Sequence, residues 1–262
     1  EQIVVDTGST DRTVEIAESM GAQVYRFEWI DDFAAAKNFA ISKAKYEWIA
    51  FLDADEYFTP EDARKMLYYV RKLQNKKYDM ILTAWTHLDN NGRVMGVGTQ
   101  TRVFRNVPGL RYHRRIHEYL DSIDGKDYIV VNAVDELSVY HTGYGDIEHK
   151  AKMGSGRNLK LIQMELEEHP DNWEMLGYLG DEYYSAGDLD SAEKAFRASV
   201  FRSPQNADVR DPIRIEMSFI KLLELLYRRG NVEESAFMEV YDQAVKRLPE
   251  DGDFDYIAAE YF

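Results

Sequence analysis

Two aspartates spaced two residues apart, Asp53 and Asp55, are the side chains of this sequence best suited to chemistry. They come directly after residues 48–52, an apolar run without polar alternation that predicts a strand covered on both faces. Side chains alternate between faces along a strand, so both carboxylates would project to the same side beyond its end. Their oxygens could then hold a hard divalent cation. The alternative is that these acids only end the strand and solvate a turn.

A polar loop near the start of the chain is the second candidate for ligand binding. It follows a short apolar run at residues 2–5 and precedes a stretch of helical periodicity, so the order predicts strand, turn and helix. Gly8 permits a tight turn, and Ser9 and Asp11 are suitable helix caps. The exposed amides of a helix start favour an anionic or polar ligand. Capping alone is the alternative interpretation.

Three segments of the chain, in this order, resemble the nucleotide-binding half of family 2 glycosyltransferases. They are residues 4–13 (VVDTGSTDRT), residues 36–40 (AKNFA) and residues 51–56 (FLDADE). Three ordered segments at family-like spacing are far more specific than one short motif. The resemblance implies an α/β fold with the doubly wound sheet called GT-A. It also implies a nucleotide-diphosphate sugar as donor, expected to be a UDP-sugar, and Mn²⁺ or Mg²⁺ as cofactor.

The same resemblance implies roles for individual residues. Asp53 would face the ribose and the metal, and Asp55 would be the principal metal ligand. Asp6 would lie at the base or the ribose of the nucleotide. The loop residues expected at the donor are Asp6, Thr7, Ser9 and Asp11.

The net charge bears on how such a donor could bind. With 32 Lys and Arg against 47 Asp and Glu, the formal charge is −15, which argues against nucleic-acid and anionic-membrane binding. A diphosphate is also an anion, so a divalent cation or a local basic patch must offset the repulsion. Lys37 is one candidate for the phosphates. Further candidates, with a solvated basic loop as the alternative, are Arg102, Arg105, Arg111, Arg114 and Arg115.

Two histidine-containing segments look like those of a bacterial subgroup of family 2 that carries helical repeats. They are residues 115–118 (RIHE) and residues 140–144 (YHTGY). Inverting transfer needs a general base that deprotonates the acceptor. Glu118 is the first candidate and His117 the second, with a loop-ordering pair as the alternative. His141 could complete the metal shell through a neutral ring nitrogen, or be only hydrogen-bonded structure.

The elements that must position these residues are indicated by the segments between them. A helix running to about residue 73 begins with Thr59 as cap and Pro60 in its first turn. A hairpin with its turn at residues 90–92 would form the acceptor-side edge of the sheet. Strands are predicted at residues 79–85, 101–104, 128–131 and 139–144.

From about residue 148 onward the hydrophobic period is helical. A helix is predicted at residues 149–168, followed by a tetratricopeptide-like helix pair at 173–204. A second, degenerate pair follows at 212–249, and a third unit begins at 254–262. One pair cannot bury its apolar face alone, so the units must stack on one another, on the catalytic domain or on a protein partner.

We therefore predict two domains, a GT-A catalytic domain at residues 1–148 and an all-α repeat domain at 149–262. The first lacks the apolar strand and helix with which the family begins, so we expect an N-terminally shortened sequence. The absence of cysteine excludes disulfides and thiolate chemistry. No run approaches the roughly 20 apolar residues of a membrane span. We expect a cytoplasmic enzyme acting on a saccharide, lipid-linked or peptide acceptor.

Two other classes of protein fit parts of the sequence. A haloacid-dehalogenase-like phosphatase also carries Asp-x-Asp after an apolar strand, and its first aspartate is a nucleophile. In this chain Glu56 and Tyr57 depart from its usual residues. A non-enzymatic helical-repeat protein with a degenerate transferase domain is the other alternative. Release of free sugar from a nucleotide sugar would distinguish a transferase from both.

Overall fold

The computed structural model describes residues 1–74, 76–142, 156–204, 212–229 and 233–261. The chain forms two compact units, Glu1–Gly154 and Ser155–Phe262. Strands and helices build the described part of the first unit, and helices build that of the second. The predicted succession of an α/β domain and an all-α domain is confirmed. The predicted boundary between residues 148 and 149 lies outside the described residues.

The first unit alternates strands and helices at its start and continues mainly in strands. Its helices are α1 Thr13–Ser19, α2 Phe33–Lys43 and α3 Pro60–Leu73. Its first strands are β1 Ile3–Asp6, β2 Gln23–Arg26, β3 Trp48–Ala50, β4 Glu56–Tyr57 and β5 Met80–Leu88. The later strands are β6 Val94–Arg105, β7 Leu110–His113, β8 Tyr119–Ser122, β9 Val130–Asn132 and β10 Ser138–His141.

These strands form one large mixed sheet and two small ones. The large sheet has the order β3-β6-β5-β10-β4, with β9 also paired to β5. In it β5 runs antiparallel to β6 and parallel to β10. β1 and β2 form a parallel pair, and β7 and β8 an antiparallel pair. Where the resemblance implies one doubly wound sheet, the described strands therefore divide into three.

The largest departure from the sequence prediction concerns β3. It ends at Ala50 and pairs antiparallel with β6. A cavity of about 610 Å³ is lined by residues of both β1 and β3, and we call it the β1–β3 cavity. Trp48 and Ile49 are only half-buried. The predicted cover on both faces is therefore wrong, because this cavity borders the strand.

The predicted hairpin and the predicted start of α3 are both confirmed, but the hairpin does not form an edge of the sheet, because β6 also pairs with β3 and β5 also pairs with β10. The turn between β5 and β6 closes with a hydrogen bond of 2.9 Å from the Asp89 amide to the Arg93 carbonyl, and Gly92 adopts a φ of 75°. This left-handed conformation is easiest for glycine. Thr59 caps α3 by accepting from the Asp62 amide at 3.1 Å, and Pro60 occupies the first turn.

The second unit consists, in its described residues, of successive helices in the order that the repeat pattern predicts. Fully buried phenylalanines, Phe196, Phe219, Phe237 and Phe254, join its later helices in one core. These four are packing positions, so their rings serve the core. The helices are α4 Arg157–Glu168, α5 Trp173–Ser185, α6 Leu189–Arg202, α7 Pro212–Arg229, α8 Glu234–Arg247 and α9 Asp253–Tyr261.

The close approach of α5 and α6 depends on Gly180. A Cβ atom there would lie 2.5 Å from the ring of Phe196, which is fully buried. We expect Gly180→Ala to lower the free energy of unfolding by about 1–3 kcal/mol, although alanine has the better helix propensity. Thermal unfolding followed by circular dichroism at 222 nm measures this. Gly252→Ala is the control, since its Cβ would meet nothing within 4 Å. Equal melting temperatures for both variants would contradict the prediction.

Among the described residues, no helix combines the length and apolar character needed to cross a bilayer.

Candidate active site

Lys37 lies at the centre of a buried cluster of charged side chains. Helix α2 carries it, and the next residue, Asn38, fixes that helix to β7 through two hydrogen bonds of 2.9 Å with the backbone of Tyr112. The buried Lys37 ammonium lies 2.7 Å from Asp53 Oδ1 and 2.6 Å from Glu118 Oε1. Lysine therefore joins two predicted site residues that are far apart in the sequence.

Arg102 on β6 holds the other side of Asp53. Its guanidinium donates to Asp53 Oδ2 at 2.8 Å and to Glu56 Oε1 at 2.5 Å. The Glu56 side chain has no exposed surface. It also accepts from the Asp53 amide at 3.0 Å and from Trp85 Nε1 at 2.8 Å. Asp53 is thus fixed through both carboxylate oxygens and through its backbone.

This arrangement differs from the geometry expected of Asp53 and Asp55. Because the strand ends at Ala50, both aspartates lie in a turn that the Glu56 amide closes on the Asp53 carbonyl at 3.0 Å. The prediction that strand alternation projects both carboxylates to one side is therefore wrong. Asp53 contacts cationic side chains, whereas Asp55 contacts a histidine. A metal-ligand role for Asp53 stays a prediction and would need its present bonds to give way.

The electrostatics of the cluster follow from burial and from the opposing charges. Burial alone would raise the pKa of Asp53, but Lys37 and Arg102 outweigh it and lower that pKa below its ordinary value. Burial would likewise lower the pKa of Lys37, and the carboxylates of Glu118 and Asp53 outweigh it and raise that pKa. Burial raises the pKa of the Tyr112 hydroxyl, whose ring lies 5.1 Å from the Lys37 ammonium. At neutral pH the cluster is a set of ion pairs.

Asp55 is held beside His141 by the pairing of β4 with β10. Thr142, just after β10, donates to the Asp55 carbonyl through its amide at 3.0 Å and its hydroxyl at 3.1 Å. His141 Nε2 then lies 3.3 Å from Asp55 Oδ2. His141 is buried, and about a third of the Asp55 side chain is exposed, 34%. The pair therefore exposes part of one carboxylate beside a buried imidazole.

His87 on β5 lies directly opposite His141 in the parallel register. The Nδ1 atoms of the two rings are 3.3 Å apart. The ring of Trp85 lies 4.3 Å from that of His87 and 5.3 Å from that of His141. Burial, and next the neighbouring His141, lower the pKa of His87 below its ordinary value. The ring of His87 therefore stays a neutral imidazole at neutral pH.

The Asp55–His141 pair fits a divalent cation. Two adjacent ligands of octahedral Mg²⁺ lie about 3 Å apart, because each is about 2.1 Å from the metal, and the observed separation is 3.3 Å. The described residues contain no group of three or more His, Cys, Asp or Glu that could hold a metal ion. Mg²⁺ commonly takes one or two protein ligands and completes its shell with substrate phosphates and water. A pair of protein ligands suits that mode of binding.

The loop after β1 is organised by Asp6. Its carboxylate accepts from the amides of Ser9 at 3.0 Å and Gly8 at 3.3 Å. A hydrogen bond with the Ser9 side chain, and next these two backbone bonds, lower the pKa of Asp6. Asp11 accepts from the amide and hydroxyl of Thr13, but the residue at the N-cap of α1 is Arg12, whose side chain makes no capping bond, so the predicted capping by Ser9 or Asp11 is wrong. Thr7, Ser9 and Asp11 are exposed. The donor roles predicted for these residues stay predictions.

The β1–β3 cavity connects this loop with the charged cluster. Its lining includes Thr7 at the end of β1, Lys37 on α2, and Asp53 and Ala54 after β3. Most of the remaining lining residues are apolar and belong to the two strands and to α2. A largely apolar cleft with a few convergent polar groups is typical of a small-molecule site.

The five arginines considered for the phosphates do not form one basic patch. Arg102 is buried in the ion-pair cluster, and Arg105 pairs with Glu47 and donates to the carbonyls of Leu73, Gln74 and Lys76. Arg111 donates to two backbone carbonyls. These three serve the fold, because each already donates to carboxylates or backbone carbonyls of the protein. Arg114 places its guanidinium 4.6 Å from the ring of Tyr119.

The segment carrying the two candidate bases has an unusual backbone. Arg114 and His117 have φ values of 74° and 51°. Non-glycine residues in this left-handed region cost free energy and cluster at functional sites. Glu118, directly after, has Oε1 in the ion pair with Lys37 and a side chain that is only 16% exposed. Which of Glu118 and His117 is the base stays a prediction.

Sequence reasoning missed three residues that the structure brings into the site. Glu56 was part of a matched segment but received no role, although an acid directly after Asp-x-Asp could have indicated one. Trp85 and His87 alternate along β5, so their shared face could have been inferred from the strand period. No sequence signal indicated that this face would meet His141.

The lowered pKa of Asp53 predicts a pH dependence of stability. A carboxylate whose pKa is lower in the folded state stabilises the fold above its ordinary value of 3.8, and this stabilisation is lost as the pH falls through the folded value. We expect the melting temperature of the wild type to fall more steeply than that of Asp53→Asn below about pH 5. The exposed Asp127→Asn is the control and should follow the wild type. Parallel curves for wild type and Asp53→Asn would contradict the prediction.

Comparison with known proteins agrees with this architecture. The family model described as Glycosyl transferase family 2 matches residues 1–131, half of the chain. The SPbeta prophage-derived glycosyltransferase SunS of Bacillus subtilis is 27% identical over 98% of this chain and 59% of its own length. A TPR repeat-containing protein of Synechococcus elongatus is 28% identical over 84% of this chain and 55% of its own length.

A third relative, an uncharacterized glycosyltransferase of Rickettsia bellii, is 40% identical over 61% of this chain and 58% of its own length. The chain thus spans less than three fifths of each of these three relatives. The predicted resemblance to family 2, with a helical C-terminal region, is confirmed. The match assigns the first unit to a family other than that of the phosphatases, and the phosphatase alternative is set aside.

Proposed function

This chain belongs to glycosyl transferase family 2, and from that membership we propose that it transfers a sugar from a nucleotide-diphosphate sugar to an acceptor. The expected donor is a UDP-sugar. The observation that carries the proposal is the Asp55–His141 pair, with its 3.3 Å separation and its partial exposure. When bound there, Mn²⁺ or Mg²⁺ would stabilise the negative charge that grows on the departing diphosphate.

We assign the donor side of the reaction to residues around the β1–β3 cavity. Asp55 and His141 hold the metal. Asp53, fixed by Lys37 and Arg102, accepts hydrogen bonds from the ribose, because an acceptor held this rigidly selects the position of a hydroxyl. Its contacts with two buried cations support this role more than that of a metal ligand. The loop at Asp6 binds the remainder of the nucleoside through its exposed residues.

We assign the acceptor side to the segment that precedes β8. Glu118 deprotonates the acceptor as it attacks the anomeric carbon opposite the leaving nucleotide, which inverts the configuration. Since Lys37 occupies Oε1 of Glu118 at 2.6 Å, the proton goes to Oε2. His117 is the second candidate for this step. Its strained backbone supports a role near the acceptor.

The remaining expectations concern acceptor, partners and location. The acceptor class, a saccharide, a lipid-linked sugar or a peptide, is set by surfaces outside the donor site. The helical second unit and the TPR repeat-containing relative support a protein partner bound to the repeats. The cytoplasmic location expected from the sequence stays a prediction.

A melting-temperature screen of nucleotides with and without Mn²⁺ tests the proposal. We expect UDP with Mn²⁺ to stabilise the protein, by about 2.7 kcal/mol at 100 times its dissociation constant. UDP alone should stabilise it far less, because no cation would then offset the charge of the diphosphate. GDP and CMP with Mn²⁺ are the controls for base selectivity. Stabilisation by UDP without any metal effect would contradict the metal role.

The same screen decides between enzyme and scaffold. A non-enzymatic repeat protein with a degenerate transferase domain should respond to no nucleotide under any condition. It should also release no free sugar from a UDP-sugar in the presence of Mn²⁺. Slow release of free sugar, in contrast, supports a working transferase.

A further inference from the structure

We propose that His87 is a positioning residue for His141, and that it holds the ring of His141 in the protonation pattern that a metal ligand requires. The inference rests on the proposed function, since it concerns the metal held by Asp55 and His141. It adds a residue to which neither the family match nor the sequence patterns give a role.

The sheet brings the two histidines together. His87 on β5 and His141 on β10 are direct partners in a parallel register, so their side chains lie on the same face. The rings meet almost at right angles, with an interplanar angle of 86°, and their Nδ1 atoms are 3.3 Å apart. The other nitrogen of His141, Nε2, is the atom that lies 3.3 Å from Asp55 Oδ2. His141 therefore stands between His87 and Asp55, with one ring nitrogen facing each.

The proton on His141 must move when a cation binds. Without a cation, Nε2–H of His141 donates to Asp55, and Nδ1 accepts from Nδ1–H of His87. A metal ligand needs the lone pair of Nε2, so the proton must then sit on Nδ1 of His141 and be donated to Nδ1 of His87. The proton on Nε2 of His141 leaves to water as the cation binds, His87 passes its Nδ1 proton to Nδ1 of His141, and His87 takes a proton from water at its own Nε2, so that each ring only changes tautomer. A neutral imidazole at position 87 can both donate and accept this hydrogen bond, whereas a carbonyl oxygen could only accept it.

The surroundings of His87 keep its ring in place for this exchange. The ring of Trp85 packs against it at 4.3 Å, and Trp85 is itself anchored through Nε1 to buried Glu56 at 2.8 Å. On the other side, the residue paired with His87 on β6 is Gly96, where an added Cβ would meet nothing within 4 Å. His87 itself is half-buried, so its ring remains in reach of water for the exchange of protons.

Binding of Mn²⁺ by the full chain, measured by electron paramagnetic resonance with and without UDP, tests the inference. We expect His87→Leu to weaken the affinity for Mn²⁺ by about 10- to 100-fold, the usual effect of removing the partner of a ligating histidine. His87→Asn keeps a group near the Nδ1 position that can donate or accept, and should retain most of the affinity. Asp55→Ala is the reference variant and should lose the site.

The outcomes separate this inference from the proposed function. If Asp55→Ala loses Mn²⁺ binding and His87→Leu binds as the wild type does, only the role of His87 is overturned. If Asp55→Ala keeps the Mn²⁺ affinity of the wild type, the proposed metal site at Asp55 and His141 is overturned, and the role of His87 is overturned with it. A weaker affinity in His87→Leu, restored in His87→Asn, supports both.

A second measurement covers the case in which His87→Leu does not fold. Nitrogen-15 NMR of labelled histidine in the wild type reports the tautomer of His141, identified by its loss in His141→Gln. We expect the proton on Nε2 without metal and on Nδ1 with Mg²⁺ and UDP. An unchanged tautomer on addition of Mg²⁺ and UDP would overturn the proposal.

Discussion

Asp55→Ala should reduce the release of free sugar from UDP-sugars by about 10³-fold or more, since the charge on the leaving diphosphate then loses its metal. In Asp55→Asn the release of free sugar should fall nearly as far, because a neutral amide is a weak ligand for a hard cation. Hydrolysis of a panel of UDP-sugars with Mn²⁺ is the measurement, and it needs no acceptor.

The fold should survive this change, which makes the result interpretable. The side chain of Asp55 is 34% exposed, and the turn is held by the Asp55 backbone carbonyl, which alanine retains. The melting temperature without ligands should therefore stay close to that of the wild type. Asp127→Ala, an exposed acid of the same unit, is the matched control and should keep full activity. Hydrolysis by Asp55→Ala within tenfold of the wild type would remove Asp55 from the metal site.

Arg102→Met should have the largest effect on stability in the first unit. Arg102 is 4% exposed and pairs with Glu56, whose side chain is fully buried, and with Asp53. Breaking a buried pair from one side leaves an uncompensated charge, which costs about 3–5 kcal/mol. Urea unfolding followed by tryptophan fluorescence measures this, because three of the four tryptophans lie in the first unit.

A matched exposed pair provides the control for Arg102→Met. Arg12 and Glu15 are 74% and 65% exposed, so Arg12→Met should cost less than about 1 kcal/mol. Adding Glu56→Gln to Arg102→Met removes the stranded charge and should recover part of the loss. Equal effects of Arg12→Met and Arg102→Met would mean that the Asp53–Arg102–Glu56 cluster is not a buried network.

The sequence alone carried the local parts of this structure well. The start of α3 follows from Thr59 and Pro60, and the hairpin follows from Gly92, because both depend on residues within one turn of each other. The helix pairs of the second unit follow from a repeated apolar period. The candidate residues after β1 and β3 follow from motif order, which places a functional loop after a strand.

The partners of those residues could not be inferred in the same way. Asp53 and Arg102 are 49 positions apart, and His87 and His141 are 54 apart. Such contacts depend on which strands pair, and the order β3-β6-β5-β10-β4 mixes parallel with antiparallel neighbours. Arg102 therefore looked like a phosphate ligand, because a run of arginines carries no sign of which of them will be buried. The early end of β3 could not be predicted either, because it too depends on which strands pair.

The formal charges at the buried cluster also affect which ligands can bind in the site. Three carboxylates, those of Asp53, Glu56 and Glu118, contact two cations, Lys37 and Arg102, which leaves one formal negative charge, and Asp55 beside His141 adds a second. One divalent ion cancels this excess, and a second negative partner cannot then be admitted without another. A donor that arrives as its own metal complex brings the cation that offsets its diphosphate, so a chelator that removes the metal should weaken the binding of the sugar nucleotide.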